Sequence, residues 1–142
     1  MPLKRISDQK SRTIKEFYSY IIGEQKAASW KDIGKAMVKL TERIDEIFPN
    51  DIIWCLTSHH RLVLLTDNDW NSPWYVIIGS LRSLNSEEIH IEYRMPDDLK
   101  PWDNAKVTGT ANSLDKAVEY VLIAMQKSGG WQGMNSLERL IK

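Results

Sequence analysis

The sequence predicts an α+β fold: an antiparallel β-meander of about five strands, with two N-terminal and two C-terminal helices packed on it. Three observations lead there. Apolar residues recur at 3–4 spacing up to residue 47, short runs of β-formers begin abruptly at residue 51, and the 3–4 spacing returns at residue 114. Short polar links between the runs favour antiparallel pairing, because a parallel pair needs a crossover of about a dozen residues or more.

In chain order, Ile14, Phe17, Tyr18, Ile21 and Ile22 give residues 9–22 an amphipathic helical face with a basic outer side, and Gly23 offers a stop. Ser29 is placed to cap a second helix, with Asp32 near its positive dipole end. Trp30, Ile33, Met37, Leu40, Ile44 and Ile47 form its stripe, and Pro49 follows its end. That stripe covers under three heptads, which suits a helix docked on its own sheet better than a coiled-coil seam.

Ile52–Leu56, Leu62–Leu65 and Trp74–Ile78 are nearly unbroken apolar runs, as expected of strands covered on both faces or central in a sheet. Ile89, Ile91, Tyr93 and Met95 alternate with His90, Glu92 and Arg94, the pattern of a strand with one buried face. Ala105, Val107, Gly109 and Ala111 alternate more weakly with Lys106, Thr108 and Thr110 in a fifth strand. Asn112 or Ser113 then caps a helix with Asp115 in its first turn and Leu114, Ala117, Val118, Val121, Leu122 and Met125 on its buried side. Ser128-Gly129-Gly130 ends that helix, and Asn135 can cap a short last one carrying Leu137, Leu140 and Ile141, with Glu138 three residues after the cap. The order reads α-α-β-β-β-β-β-α-α, with no repeat, low-complexity tract or linker, so residues 1–142 are expected to form a single α+β domain.

Composition narrows the class. At 142 residues, 42% hydrophobic and 27% charged, the chain can bury a core, and no apolar run reaches the roughly 20 residues of a membrane span. The basic start lacks the apolar segment of a secretory signal, and the single Cys55 cannot form an internal disulfide. Both suggest a cytoplasmic, reducing setting. Charge balances at 19 basic against 19 acidic residues, but unevenly. Residues 1–31 carry +4, residues 32–103 carry −6 and residues 104–142 carry +2. An acidic middle repels phosphate and attracts basic proteins, so nucleic-acid binding would have to rely on the basic first helix.

Several constellations invite chemistry. His59-His60 beside Arg61 occupies a predicted turn, but zinc needs three or four converging ligands, and the spacing of Asp67, Asp69 and His90 does not supply them. Cys55 with His59 or His60 has the residue types of a nucleophile and base. It lies inside Ile52-Ile53-Trp54-Cys55-Leu56, however, where it reads as a small buried hydrophobe. His90, Glu92 and Arg94 share one strand face with Lys106, Thr108 and Thr110 if the last two strands pair, which suits either a general base or a charge-paired solvated face. Asp67, Asp69 and Asn71 alternate as in a calcium loop but lack its glycine and distal glutamate. Phosphate-binding glycine loops, CxxC pairs, HExxH and a nucleophile elbow are absent, so no metal or cofactor is expected.

Two sheet connections each pair aspartates with tryptophan: Asp67, Asp69 and Trp70 in one, Asp97, Asp98, Trp102 and Asp103 in the other. Exposed tryptophan is costly unless it packs or binds, and aromatics are enriched at interface hot spots. Either both tryptophans fold back to plug the ends of the sheet, or they present a surface. Together with His90, Glu92 and Arg94, these residues are the expected contact set for a basic protein partner. The reading that follows is a non-catalytic intracellular protein-binding domain, such as a bacterial immunity or antitoxin-type inhibitor of a basic toxin domain. The alternative is a small-ligand-binding protein or hydrolase with a Trp- and Tyr-lined pocket between helices and sheet.

Overall fold

Helix α1 (Ile14–Glu24) begins at a reciprocal cap. The Glu16 amide donates to the Thr13 hydroxyl at 3.1 Å, and the Thr13 amide donates to the Glu16 carboxylate at 3.0 Å. This pair of bonds marks the start of the helix at residue 14, whereas the sequence reading places it from residue 9. The computed structural model describes residues 3–9, 12–24, 28–83 and 86–140. Within them Gly23 stays helical, and α2 (Ala28–Ile47) is already under way at Ser29, which is therefore an interior residue and not the cap. The side chains of Ile21, Trp30 and Asp32 lie outside the described residues.

The chain then forms β2 (Ile53–Ser58), β3 (Arg61–Leu65), β4 (Tyr75–Ser83), β5 (Ser86–Arg94) and β6 (Lys106–Ala111), each antiparallel to the next. One strand escapes the sequence reading. β1 (Leu3–Arg5) pairs in parallel with β2, Leu3 opposite Ile53 and Arg5 opposite Cys55, so the sheet is mixed and six-stranded in the order β1-β2-β3-β4-β5-β6. Three residues are too few to show a period, and α1 and α2 provide the long crossover that a parallel pair requires. The Leu3 amide ties β1 to α2 through the Asp45 carboxylate at 3.0 Å. β4 and β5 also extend beyond their apolar runs, since backbone pairing continues through Ser80, Arg82 and Glu87 where alternation has ended.

Helices α3 (Leu114–Lys127) and α4 (Asn135–Leu140) complete the chain. Ser113 caps α3, its hydroxyl accepting from the Lys116 amide at 3.2 Å, and Gly129 takes the left-handed conformation at φ +79° just beyond Ser128. Cys55, Leu62, Leu64, Val76, Ile78, Ile89 and Ile91 on one sheet face pack against Tyr18, Met37, Leu40, Ile44, Val118 and Val121 of the helices. The other face carries Trp54, Leu56, Val63, Tyr75 and Ile77, half-buried and outside that core. The unbroken runs of β2–β4 thus mark strands interior to the sheet, with two apolar faces of which helices cover one.

Candidate functional site

A meander sends alternate connections to the same end of its sheet. Residues 66–74 (β3 to β4) and residues 95–105 (β5 to β6) are such a pair. Arg94, the last residue of β5, joins their bases: its guanidinium donates to the Pro73 carbonyl at 3.3 Å and lies 3.7 Å from the Asp97 carboxylate.

The first connection is a tight polar turn. The Asn71 amide donates to the Asp69 carboxylate at 3.0 Å, and the Thr66 and Ser72 hydroxyls lie 3.1 Å apart. Its tip reaches the N-terminal segment, where Asn68 exchanges two 2.7 Å hydrogen bonds with the amide and hydroxyl of Ser7. In the second connection the Pro96 carbonyl accepts from the amides of Leu99 and Lys100, both at 3.0 Å. Lys100 sits 3.2 Å from both Asp97 and Asp103, and these contacts raise the pKa of its ammonium. Asn104 closes the loop in the left-handed region at φ +62°.

Residues 128–134, between α3 and α4, approach the same end. Gly130 lies directly against Trp74: a Cβ there would come 2.6 Å from Trp74 Cβ and 3.0 Å from Thr66 Cγ2. Trp131 is buried. Between these segments runs an open groove of about 650 Å³, lined among others by Trp74, Pro96, Asp98, Leu99, Trp131 and Glu138.

Trp70 and Trp102 do not plug the sheet. They are 66% and 71% exposed, and Leu99 beside them is 64% exposed. Asp67, Asp69, Asp97, Asp98 and Asp103 are all exposed. Among the described residues Asp67, Asp69 and Asp98 have no basic partner, whereas Asp97 and Asp103 share Lys100. The acidic character is therefore weaker in the second connection than residue counts imply. Leu99, Trp74, Trp131 and Glu138 were not singled out as site residues; a leucine in a polar connection was the one available sign.

His90 and Glu92 belong elsewhere. They point from the open face of β5, opposite Thr110 and Thr108, as the alternation required. Glu92 is nearly covered, 3.4 Å from Lys106 and 3.9 Å from His90. That geometry is a cross-strand charge cluster. Arg94 alone of the three reaches the connections. Cys55 is buried, and burial pushes its thiol pKa up to about 12. Among the described residues no three His, Cys, Asp or Glu side chains are grouped to hold a metal ion, and no helix is long and apolar enough to cross a membrane.

Between the helix layer and the sheet, a smaller recess of about 190 Å³ opens at the β6 edge, lined mainly by Tyr93, Val107, Gly109, Tyr120 and Ile123. Among the described residues its ionisable lining groups are the two tyrosines, and burial raises the pKa of Tyr93. Compared with known proteins, the chain matches no family model, and neither a curated protein nor a solved structure shows significant similarity to it.

Proposed function

We propose that the protein is a non-catalytic, intracellular protein-binding domain that offers this end of its sheet to a partner with a basic surface. An immunity or antitoxin-type inhibitor of a basic toxin domain is the most concrete form of that reading. The supporting observation is the exposure of Trp70, Leu99 and Trp102, at 66%, 64% and 71%, among five aspartates on two connections whose bases Arg94 joins. Leaving a large apolar side chain in water forgoes about 1.5–3 kcal/mol relative to burying it. Side chains kept exposed in this way suit anchors that desolvate on binding, and surrounding carboxylates steer a basic partner to them.

A photo-activated cross-linker placed at Trp70 or Trp102 in the native host should capture one defined protein with a basic surface. The same cross-linker at Tyr20, exposed on α1 beneath the Arg12 guanidinium, should not. With that partner in hand, replacing Asp67, Asp69, Asp97, Asp98 and Asp103 by asparagine should slow association and flatten its salt dependence. Trp70→Ala or Trp102→Ala should cost on the order of 2 kcal/mol, chiefly in dissociation rate. Capture from Tyr20 alone, or a partner indifferent to all seven substitutions, would refute the proposal.

A further inference from the structure

The sheet ends on β1 at one side and on β6 at the other. On the β1 side the Gln9 side chain bonds the amide and carbonyl of Thr57 at 2.8 and 2.9 Å, filling the part of β2 that the three-residue β1 leaves unpaired. Among the described residues no such group lies along the outer edge of β6. It runs for six residues, Lys106–Ala111, with no proline, and its single charge leans inward to Glu92 at 3.4 Å. An unprotected edge of this length is a template for another strand.

Beside it lies an apolar stripe. Val107 and Ile123 are each 38% exposed, and with Tyr93, Gly109 and Tyr120 they line the recess of about 190 Å³. The recess owes its depth to Gly109. A Cβ there would make only ordinary contact with the Tyr120 ring, at 3.5 Å, so packing within the chain does not demand glycine. Glycine inside a strand weakens it and commonly marks a close approach by another chain segment.

We propose that β6 pairs antiparallel with β6 of a second copy, with Thr108 opposite itself, making one continuous sheet across the dimer. That register sets Val107 of each copy opposite Gly109 of the other, where the missing side chain leaves room, and Lys106 opposite Thr110, so like charges are not opposed. Strand pairing alone falls short of the roughly 1,200–2,000 Å² of a standard interface. Helix α3 supplies the rest. It packs over β5 and β6, so the two copies of α3 run antiparallel, about 10–15 Å apart on ordinary strand and helix spacings. Glu119, Ile123 and Lys127 are exposed and spaced by four along one side of α3. A two-fold axis through Ile123 brings Glu119 of each copy, which already lies 3.1 Å from Lys116 of its own helix, to Lys127 of the other, so that the carboxylate is shared between two cations.

Sedimentation of the full chain tests this. The expected result is a species of twice the 16.5 kDa chain mass at concentrations up to about 100 μM, where a micromolar Kd is well populated. Val107→Asp, which buries a charge in the joint, should return the protein to monomer. Because that change acts on β6 itself, α3 gives a separate readout. Glu119→Lys alone should weaken self-association on the order of fivefold, and adding Lys127→Glu should restore it. Residues directly opposed in an antiparallel pair have Cα atoms about 4.5–5.5 Å apart, within disulfide range. Thr108→Cys should therefore form a disulfide-linked dimer on oxidation while Lys106→Cys does not, Cys55 being buried and unavailable. A monomer throughout that concentration range would overturn the proposal. So would a dimer indifferent to Val107→Asp and to both α3 substitutions, with no cross-link at residue 108.

Discussion

Replacing Gly130 with alanine probes how the groove at the sheet end is built. The added Cβ would stand 2.6 Å from Trp74 Cβ, 2.9 Å from Trp74 Cγ and 3.0 Å from Thr66 Cγ2. Carbon atoms pack comfortably at about 3.5–4.0 Å, so the methyl group intrudes by roughly an ångström. The atom it meets is the root of the indole, one bond from the backbone just before β4, and rotating the ring cannot relieve the clash. Overpacking of this kind costs about 1–3 kcal/mol. For a chain of 142 residues, unfolding entropy of about 2.1 cal/mol/K per residue converts that cost to a fall of about 3–10 °C in Tm. Gly133 is the control: it has φ +84° and nothing within 4 Å of an added Cβ, so alanine there carries backbone strain alone, about 1 kcal/mol. Calorimetry should rank Gly130→Ala well below Gly133→Ala and the parent protein. The Trp74 indole N–H resonance should move in the first variant and hold still in the second. A Gly130→Ala protein that melts within a degree of the parent, with that resonance unchanged, would refute the packing of residues 128–134 on Trp74.

Two further outcomes follow from single side chains. With its thiol pKa near 12, Cys55 holds only about one part in ten thousand as thiolate at pH 8, against about a quarter for an unperturbed cysteine. Native maleimide labelling should be more than about a thousandfold slower than labelling in denaturant, and rapid native labelling would reopen cysteine chemistry. Because the folded pKa is the higher one, this group's contribution to stability is complete below about pH 8.5 and is lost as pH rises towards 12, so Cys55→Ala should flatten that decline. Arg94→Ala should cut the tie between Pro73 and Asp97, with little change in Tm but faster hydrogen exchange at the Leu99 and Lys100 amides; unchanged exchange would deny Arg94 its bridging role.

The candidate site was legible in part. Asp–Trp pairing in two connections is a compositional signal, and a meander's regularity then puts both at one end of the sheet. Whether Trp70 and Trp102 were exposed could not be read from composition, because an indole that packs and one that binds have the same residue type and the same neighbours. His90 and Glu92 illustrate the opposite case. Their alternation placed them on one strand face with Arg94, but His90 and Glu92 lie further along the strand, opposite Thr110 and Thr108, and Arg94 alone sits at the end that meets the connections.

Local periodicity was enough to specify the meander over β2–β6, the helices that precede and follow it, and the burial of Cys55, because each depends on residues a few positions apart on one face of one element. Tertiary structure decided the rest. β1 exists only because α1 and α2 carry residues 3–5 back alongside β2, and a three-residue strand has no period of its own to read. Gly130 is required only because Trp74, remote in sequence, lies against it. The open edge at β6 is likewise a property of strand order, since whether an outermost strand is covered depends on what the rest of the chain brings beside it, and among the described residues nothing is brought beside β6.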